Sequence, residues 1–512
     1  MEERRHPRRW LILIVLCLST LVLVIDNMVL TVSVPPIAED LKADAQDIQW
    51  IIDSYILVFA GLLLTAGSLS DRFGRRRVMI VGLTIFGAAS LLATVAQNPE
   101  QLIAGRVLMG VGGALIMPST LSILITVFDD GERRKAIGAW SAVAAVGLVG
   151  GPVLGGVLIA HFWWGSVFLM NVPIALVAIV AALVLMPESK GPARKADPLG
   201  MVLSVVGMTA LVWTIIESAE AGLGQLSTQL SLGVALVALA AFVVWELRTA
   251  SPMVPLGLFR NRVFSGASFS LVLLTFANGG LMLVLTQYLQ FVLGYSPSKT
   301  GIAFAPMAVA TLVFNGIGAT LGNKIGNRAM TATGLTVIAA GFGALASLPS
   351  DAGFGMVSAA MVLIGIGGGL AMPAATAALM SAVPAEHAGV GSALNDTVQQ
   401  AGAALGVAVL GTVLSSTYTG SMPDSAPAAA GHSVSDALAL AASTGDGALA
   451  TAAREAFTDA MSAAFWAGAA GVLAAAVLAI VLIRDRKAPE SSESSAQQQP
   501  EAAHSGELTT AA

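Results

Sequence analysis

Residues 110–118 of this chain read Gly-Val-Gly-Gly-Ala-Leu-Ile-Met-Pro, and residues 365–373 read Gly-Ile-Gly-Gly-Gly-Leu-Ala-Met-Pro. Each stretch lies in an apolar segment long enough to cross a bilayer. A weaker echo at nearly the same offset links residues 70–76, Ser-Asp-Arg-Phe-Gly-Arg-Arg, to residues 322–328, Gly-Asn-Lys-Ile-Gly-Asn-Arg. The chain therefore contains two related halves. Parallel halves with a site between them near the membrane midplane are typical of alternating-access transporters.

The composition is that of a protein with many membrane spans. Of the 512 residues, 56% are hydrophobic and only 11% are charged, and the mean hydropathy is +0.80. A helix crosses the hydrocarbon layer in about 20 apolar residues. Apolar runs of that length predict fourteen spans, near residues 10–34, 48–70, 78–97, 101–127, 136–160, 165–186, 199–217, 229–247, 264–292, 300–322, 330–348, 355–380, 390–415 and 457–483.

The distribution of basic residues sets the expected orientation, because loops on the cytoplasmic side of a membrane carry most of the Lys and Arg. With the N-terminus inside, all but four of the 26 basic residues fall in cytoplasmic segments. The exceptions are Lys42, Lys299 and Arg454 in external segments and Arg106 within a span. Both termini are therefore predicted to be cytoplasmic. The single cysteine, Cys17, excludes an intramolecular disulfide and a cysteine metal cluster.

The predicted fold is an all-α membrane protein with two six-helix bundles and two inserted central helices, which have no counterpart in the repeat. Residues 1–190 form the first bundle, 191–262 the linker with the two extra helices, and 263–487 the second bundle. An Ala- and Ser-rich external loop is expected at 416–456. The tail 488–512 has no apolar periodicity and is expected to be disordered and cytoplasmic.

Four charged residues within the predicted spans are candidates for function: Asp26, Asp53, Asp396 and Arg106. A charge near the bilayer centre costs roughly 2.5–3.5 kcal/mol, so it needs a partner, a water-filled cavity or a substrate. Structural alternatives remain open for the last three. Asp53 lies near a membrane interface, Asp396 could bond to nearby backbone, and Arg106 could reach the external interface. Two further acids, Glu217 and Glu246, lie at span ends, where solvation by water is expected.

Residues 67–77, Gly-Ser-Leu-Ser-Asp-Arg-Phe-Gly-Arg-Arg-Arg, lie at the cytoplasmic end of the second span. They resemble the loop signature of the major facilitator superfamily, G-x-L-a-D-r-x-G-r-[KR]-x. An aspartate and arginines at this position can pair across neighbouring helix ends and hold one conformation, while a glycine permits the tight turn. The conformational gate is therefore expected at Gly67, Asp71, Arg72, Gly74, Arg75 and Arg76.

The fifth span contains residues 147–156, Gly-Leu-Val-Gly-Gly-Pro-Val-Leu-Gly-Gly. Glycines spaced by four make a flat face for close helix approach, and a proline bends the helix. The stretch resembles the g-x-x-x-G-P-x-x-G-G motif that marks exporters in the superfamily, although a packing role alone is compatible with the pattern. The motif residues are Gly147, Gly151, Pro152, Gly155 and Gly156.

Further stretches resemble the 14-span drug:H+ antiporter-2 family over roughly residues 10–485. They include 50–55 (Trp-Ile-Ile-Asp-Ser-Tyr), 168–173 (Phe-Leu-Met-Asn-Val-Pro) and 288–297. In the first span, Asp26 matches the family pattern, but Met28 and Thr31 replace its Thr and Asn. The resemblance implies that Asp53 favours cationic substrates, since the quaternary-ammonium and dye exporters carry an aspartate there. Carboxylates at the position of Asp396 also mark cation-exporting relatives.

The resemblance implies a proton-coupled antiporter that exports lipophilic, cationic drugs across the bacterial inner membrane. A buried carboxylate favours its neutral form until a counter-charge arrives, so a proton and a cationic drug would compete for it. The energy source is the proton gradient, without a cofactor, since no P-loop is visible. The expected partners are drugs, protons and lipids, not nucleic acid, and the chain is expected to act as a monomer.

A dedicated exporter of one natural antibiotic is the main alternative, because Met28 and Thr31 fit a narrowed pocket equally well. An importer is disfavoured by the Gly151-Pro152 motif. An enzyme or a channel is also disfavoured, because the five histidines lie outside the deep membrane segments and nothing resembles a selectivity filter.

Overall fold

The computed structural model describes residues 7–191, 197–220, 225–423, 425–431 and 433–483, and these contain helices and loops but no strand. The tail 488–512 and part of the expected linker after residue 191 lie outside the described residues. The long helices run as follows: α1 Arg9–Leu41, α2 Ala45–Phe73, α3 Arg75–Thr94, α4 Pro99–Val127, α5 Asp130–His161, α6 Ser166–Leu185, α7 Pro198–Glu220, α8 Leu226–Arg248, α9 Arg262–Gln287, α10 Lys299–Gly322, α11 Ile325–Ala346, α12 Phe354–Ser381, α13 Ala388–Ser421 and α14 Gly447–Leu482.

Thirteen of these helices in the described part of the chain are long and apolar enough to cross a membrane. The fourteenth, α5, has 32 residues and occupies the place of the predicted fifth span. Each predicted span is therefore matched by one helix, and the all-α membrane fold is confirmed.

The largest difference from the predicted spans is at the expected loop 416–456. Helix α13 continues to Ser421, a short helix covers Val434–Thr444, and α14 begins already at Gly447. The Asp446 carboxylate accepts hydrogen bonds from two backbone N–H groups of the first turn of α14, at 3.0 Å each, as an N-cap residue does. The segment is helical because its alanines are strong helix formers, which a search for apolar runs does not detect.

The internal repeat is visible in how the fourth helix of each half packs. A Cβ added at Gly110 of α4 would lie 2.9 Å from the Tyr55 carbonyl oxygen on α2, and one at Gly365 of α12 would overlap the Met307 carbonyl on α10. Both glycines therefore allow the same close helix contact. The two loops that are similar in sequence also share a backbone conformation. In the first loop, Gly74 has a φ of 111°.

Gly326, at the equivalent position in the second half, has a φ of 88°. Residues with a side chain rarely adopt such angles. The two halves therefore share the turn between their second and third helices as well as the packing of their fourth.

The inserted helices lie outside the two halves. Helix α7 packs against α2 and also against α13, while α8 packs mainly against α7. The Trp50 and Trp213 rings meet in the α2–α7 contact with centroids 5.0 Å apart.

The expectation that water solvates Glu246 is wrong, because its side chain is buried and accepts a hydrogen bond of 3.0 Å from the Val254 N–H. The chain following α8 folds back over the carboxylate.

The two halves meet along two sets of helices. Helix α5 of the first half packs against the continuous run Ala305–Ala346, which contains most of α10 and all of α11, and against α12. Helix α13 of the second half packs against α2 and α4 of the first. Side-chain contacts tie together the ends of these helices where α2 gives way to α3 and where α13 begins. This side of the bundle is here named the arginine-rich end, since it carries Arg9, residues 72–77 and residues 133–134.

Candidate functional site

Asp26 and Arg106 form an ion pair in the interior of the first half. The Arg106 Nη1 donates to Asp26 Oδ2 at 2.5 Å. Arg106 is 0% exposed and Asp26 is 2% exposed. Helix α1 supplies the carboxylate and α4 supplies the guanidinium. Arg106 is therefore not an interfacial anchor, which the sequence left open. A buried pair of this kind persists only when its remaining donors and acceptors are also satisfied.

Other groups complete the surroundings of the pair. The Asn171 Nδ2 on α6 donates to Asp26 Oδ1 at 2.8 Å and approaches Ser90 Oγ at 3.3 Å. The Arg106 Nε donates to the Ile51 carbonyl oxygen at 3.1 Å, and its guanidinium lies 4.4 Å from the centroid of the Tyr55 ring. Four helices besides α1 therefore hold the charge of Asp26 in place.

Asn171 is a site residue that sequence reasoning missed. It lies in residues 168–173, which contributed to the family resemblance, but no role was assigned to it. The available signal was an uncharged polar side chain inside an otherwise apolar span, and such residues in membranes usually bond across helices.

The other two candidate carboxylates lie elsewhere. Asp53 is half-buried on α2, two residues after Ile51. Asp396 lies on α13 in the second half and is 5% exposed. Its Oδ1 accepts from the Asn395 Nδ2 at 3.0 Å, and its Oδ2 has no hydrogen-bond partner among the described residues. Of the four charged candidates, Asp26 and Arg106 are in direct contact with each other.

A cavity of about 320 Å³ lies between the halves. Its wall comes mainly from α9 to α12, with three residues from the first half, Val24 and Met28 of α1 and Ser141 of α5. Among the described residues, no charged side chain lines it. The remaining lining residues are Leu274, Thr275, Ala277, Asn278, Met282, Met307, Ala308, Thr311, Asn315, Ile338, Phe342, Ile364, Gly368 and Met372.

Helix α1 separates the cavity from the ion pair. Successive residues of an α-helix are rotated by about 100°, so residues four apart share a face and residues two apart lie on nearly opposite faces. Val24 and Met28 line the cavity, whereas Asp26, between them in sequence, contacts α4 and α6. One turn of α1 therefore carries the ion pair on one side and the cavity wall on the other.

The glycines of the fifth-span motif allow this turn of α1 to pack closely against α5. A Cβ added at Gly147 would overlap the Val24 side chain, and one at Gly151 would overlap the Met28 Cβ. Val24 and Met28 of α1 therefore both line the cavity and pack against the motif glycines.

The rest of the motif differs in how closely it is packed. A Cβ added at Gly155 would lie 2.9 Å from the Val29 Cγ1, so this glycine also faces α1, whereas one at Gly156 would meet no atom within 4 Å. Pro152 belongs to α5, but its side chain is outside the described residues.

Asp71 joins the two halves at the arginine-rich end. Its Oδ1 accepts from the Gly389 N–H at 2.9 Å and its Oδ2 from the Val390 N–H at 3.0 Å. These N–H groups belong to the first turn of α13, where the helix dipole favours a negative charge. The Arg75 guanidinium donates to Asp71 Oδ1 at 2.7 Å and to the Ala385 carbonyl oxygen at 2.8 Å. The pair therefore connects α2 of one half to α13 of the other.

The neighbouring gate candidates have different contacts. The Arg76 N–H donates to Glu188 Oε1 at 3.2 Å, and the same carboxylate lies within 3.6 Å of the Arg77 Nε. Gly67 packs where a Cβ would lie 2.7 Å from the Gly389 carbonyl oxygen. Arg72 lies over the ring of Phe73 instead, with its Cζ 5.1 Å from the centroid. Sequence reasoning missed Glu188, which follows the sixth span and neutralises part of the arginine cluster.

A second connection crosses the halves at the same end. The Arg134 Nη1 on α5 donates to the Gly322 carbonyl oxygen, at the end of α10, at 2.6 Å. Gly322 begins the weak repeat of the Asp71 loop, so the two related loops both contribute to contacts between the halves.

Comparison with known proteins places this architecture in a family. The family model described as Major Facilitator Superfamily matches residues 16–407. The chain belongs to the major facilitator superfamily. The multidrug efflux pump LfrA of Mycolicibacterium smegmatis is 35% identical over 489 residues, with 94% of this chain and 95% of that protein covered. The tetracenomycin C resistance and export protein of Streptomyces glaucescens is 34% identical over 81% of this chain and 78% of its own length.

Solved structures of the superfamily share the fold. The human organic anion transporter MFSD10 matches with a TM-score of 0.62 over 94% of this chain and all of that chain, at 14% identity. The proton:xylose symporter XylE matches with a TM-score of 0.60 over 94% and 97%, at 13% identity. At these identities the similarity concerns the fold alone.

The sequence relatives confirm the predicted type of superfamily member. They are multidrug efflux pumps and antibiotic resistance or export proteins, as the resemblance to drug:H+ antiporters implied. Met28, which replaces a threonine of the family pattern, lines the cavity. The side chain of Thr31 lies outside the described residues.

Proposed function

We propose that this protein exports lipophilic drugs from a bacterial cytoplasm across the inner membrane in exchange for protons. The observation that carries the proposal is the double role of one helical turn of α1. Asp26 on one face is paired with Arg106, and Met28 on the opposite face lines the cavity between the halves. A change in the charge of Asp26 can therefore reach the cavity through a single rigid element.

Asp26 acts as the proton-binding group in this proposal. A proton on the carboxylate removes its charge, and the attraction that holds it to Arg106 falls with it. Helix α1 is then less strongly held to α4 and α6 and can shift on the glycine face of α5. Met28 moves with α1, so the shape of the cavity differs between the proton-bound and proton-free forms.

The remaining carboxylates are assigned secondary roles. Asp53 is proposed to bias the site toward cations. Asp396 is proposed as a second proton-binding group, and its support is a buried Oδ2 without a partner among the described residues. A buried carboxylate in that situation is more favourable when neutral.

The arginine-rich end is proposed to face the cytoplasm, as the distribution of Lys and Arg favours. The Asp71 and Arg75 contacts to α13 then close the cytoplasmic side. Release of these contacts would admit a drug from the cytoplasm. Both chain termini are proposed to lie on the cytoplasmic side of the membrane. One chain, with both halves and the cavity between them, is proposed to be sufficient for transport.

Inside-out membrane vesicles test the proposed function. Vesicles containing the protein should accumulate ethidium when an acid-inside pH gradient is imposed, and nigericin should abolish the accumulation by dissipating the gradient. Asp26→Asn should show no gradient-driven accumulation at a similar protein level. Drug-driven proton release that persists in Asp26→Asn would contradict the assignment of Asp26.

A dedicated exporter of one antibiotic is the second candidate function. It is favoured by Met28, which occupies the cavity wall where the family pattern has a smaller, polar threonine. Two relatives are named for single antibiotics, the tetracenomycin C export protein and the puromycin resistance protein of Streptomyces alboniger. Resistance to only one compound in a panel of unrelated drugs would support this candidate over a multidrug pump.

A further inference from the structure

The side-chain amide of Asn171 is only half used in its contact with Asp26. Its Nδ2 donates to Asp26 Oδ1 at 2.8 Å and approaches Ser90 Oγ at 3.3 Å. Its Oδ1 is buried and has no hydrogen-bond partner among the described residues. Most buried polar atoms in proteins are hydrogen-bonded, so the unpaired oxygen of a residue that touches Asp26 needs an explanation.

The two charge states of Asp26 make different demands on its neighbours. An ionised carboxylate only accepts hydrogen bonds, whereas a protonated one also has an O–H group that must donate. The Arg106 guanidinium, which bonds to Asp26 Oδ2, has donors and no acceptor. A proton on Oδ2 would therefore point at another donor. Of the two side chains described as bonded to this carboxylate, Arg106 and Asn171, only Asn171 contains an acceptor.

The Asn171 amide can present its acceptor to Asp26 without any movement of the backbone. A half-turn about the last side-chain bond exchanges the places of Oδ1 and Nδ2, which are nearly equal in size. The oxygen then lies where Nδ2 lies now, 2.8 Å from Asp26 Oδ1 and 3.3 Å from Ser90 Oγ. The first distance is typical of an O–H···O bond. The Ser90 hydroxyl can accept from the amide in one orientation and donate to it in the other.

We propose that Asn171 is a positioning residue that bonds to Asp26 in both protonation states, as a donor to the carboxylate and, with its amide turned over, as an acceptor from the carboxylic acid. The proton enters and leaves at Asp26 Oδ1, and Asn171 neither gains nor loses a proton. The inference rests on the proposed function, because it takes Asp26 as the proton-binding group. It adds the residue that keeps this oxygen hydrogen-bonded whether or not Asp26 carries the proton.

Other charges near this carboxylate are few. Among the described residues, Arg106 of α4 and Tyr55 of α2 act on Asp26. Asp53 of α2 is two residues from Tyr55 and so lies on nearly the opposite side of that helix. Helix α6 contains no charged residue, and the charged residues of α3 and α5 lie near the ends of those helices. A response of Asn171 to pH therefore reports the charge of Asp26.

Infrared spectroscopy of the full-length protein in lipid vesicles follows the amide directly. The protein is labelled with asparagine that carries 13C at the side-chain carbonyl, and difference spectra are recorded between acid and alkaline pH. A C=O band moves to lower frequency when its oxygen accepts a hydrogen bond. One labelled band should therefore move to lower frequency on acidification. Asp26→Asn should lack this band shift, together with the carboxylic acid band of Asp26.

Variants of the amide and of its neighbour separate this role from packing. Asn171→Leu, similar in size but unable to donate or accept, should lack the band shift and reduce gradient-driven ethidium accumulation by about tenfold or more. Asn171→Ser keeps a hydroxyl that can donate and accept, and it should recover part of the transport. Ser90→Ala is the matched control, because it removes the other partner of the amide without touching the bond to Asp26. It should keep the band shift.

The spectra and the transport assay test different claims. A labelled band that moves to higher frequency on acidification, or the absence of any labelled shift that depends on Asp26, would overturn the inference. Loss of the shift in Ser90→Ala, or unchanged transport in Asn171→Leu, would overturn it as well. The expected shift in a protein whose vesicles accumulate no drug would leave the inference standing and refute the proposed export function. If Asn171→Leu does not fold, the spectra of the unmodified protein and of Asp26→Asn decide the question.

Discussion

At the scale of single residues, the Asp26 carboxylate is bonded to one cation, Arg106, and one amide, Asn171. Desolvating a carboxylate and a guanidinium is costly, and their attraction in a low dielectric offsets that cost only when both partners are present. Arg106 and Asp26 are both nearly inaccessible to solvent. Removal of one partner should therefore damage the protein more than removal of both.

Arg106→Leu is predicted to destabilise the protein by about 3–5 kcal/mol, because it leaves the Asp26 charge buried without its cation. The double variant Asp26→Asn, Arg106→Leu should recover most of that loss, although neither variant should transport. Thermal unfolding of the purified proteins in one detergent at pH 8 is the measurement. A double variant that is no more stable than Arg106→Leu would show that the two residues do not act as a pair.

Asp53→Asn is predicted to change which charges are accepted without stopping the pump. Methyl viologen has two positive charges and ethidium has one, so loss of a second carboxylate should weaken efflux of the first by roughly tenfold and of the second by much less. Efflux rates in cells with matched protein levels provide the comparison. Equal losses for both compounds would indicate a coupling or structural role for Asp53.

At the scale of helices, the contact between α1 and α5 is the element most sensitive to small changes. The two backbones are close because Gly151 has no side chain opposite Met28. Gly156 belongs to the same helix and the same motif, yet a Cβ there would meet no atom within 4 Å. The helix thus contains its own control position.

Gly151→Ala is predicted to reduce gradient-driven ethidium accumulation by at least about tenfold. The added methyl group forces α1 away from α5, and a displacement of the site by up to about 1 Å is enough for such a loss. Gly156→Ala should transport like the unmodified protein. Initial rates in inside-out vesicles at matched protein levels are compared. If both alanine variants are equally active, close approach of α1 to α5 is not needed for transport.

At the scale of the whole molecule, a few bonds join the two halves at the arginine-rich end, and these are the contacts proposed to close it. Asp71 supplies two of them to the first turn of α13, and Arg75 supplies a third. An ionised carboxylate at a helix N-terminus bonds more strongly than a neutral amide. The stability of the closed form should therefore depend on the charge of Asp71.

Asp71→Asn is predicted to open the arginine-rich end more often, to slow turnover and to leave the range of transported drugs unchanged. In a Cys17→Ser background, a cysteine introduced at Ser141 in the cavity reports access from that end to a membrane-impermeant maleimide. Labelling should rise several-fold in Asp71→Asn and stay unchanged in Asp44→Asn, since Asp44 caps the end of α2 opposite to Asp71. Unchanged labelling in both variants would remove the Asp71 contacts as a gate.

The number of membrane helices, their order and the twofold repeat could be read from the sequence, because each depends on local properties. A run of apolar residues must span the bilayer wherever it occurs, and repeated glycines report the same close packing in both halves. Asp26, Asp71 and the fifth-span glycines could be singled out for a similar reason. A charge in an apolar span and glycines spaced by four are visible without knowledge of their neighbours.

The partners of these residues were decided by the tertiary structure alone. Arg106 could have reached toward the interface, and only the packing of α4 against α1 directs it to Asp26, 80 residues earlier in the chain. Asn171 stands out in sequence as a polar residue in an apolar span, but its partner Asp26 follows only from the helices that fold next to it. The role of Glu188 likewise follows from its neighbours in space. The sequence likewise could not tell that Asn315 lines the cavity, since that depends on how the two halves approach each other. Local sequence patterns set where a helix lies in the membrane, but contacts between distant helices set which side chains meet.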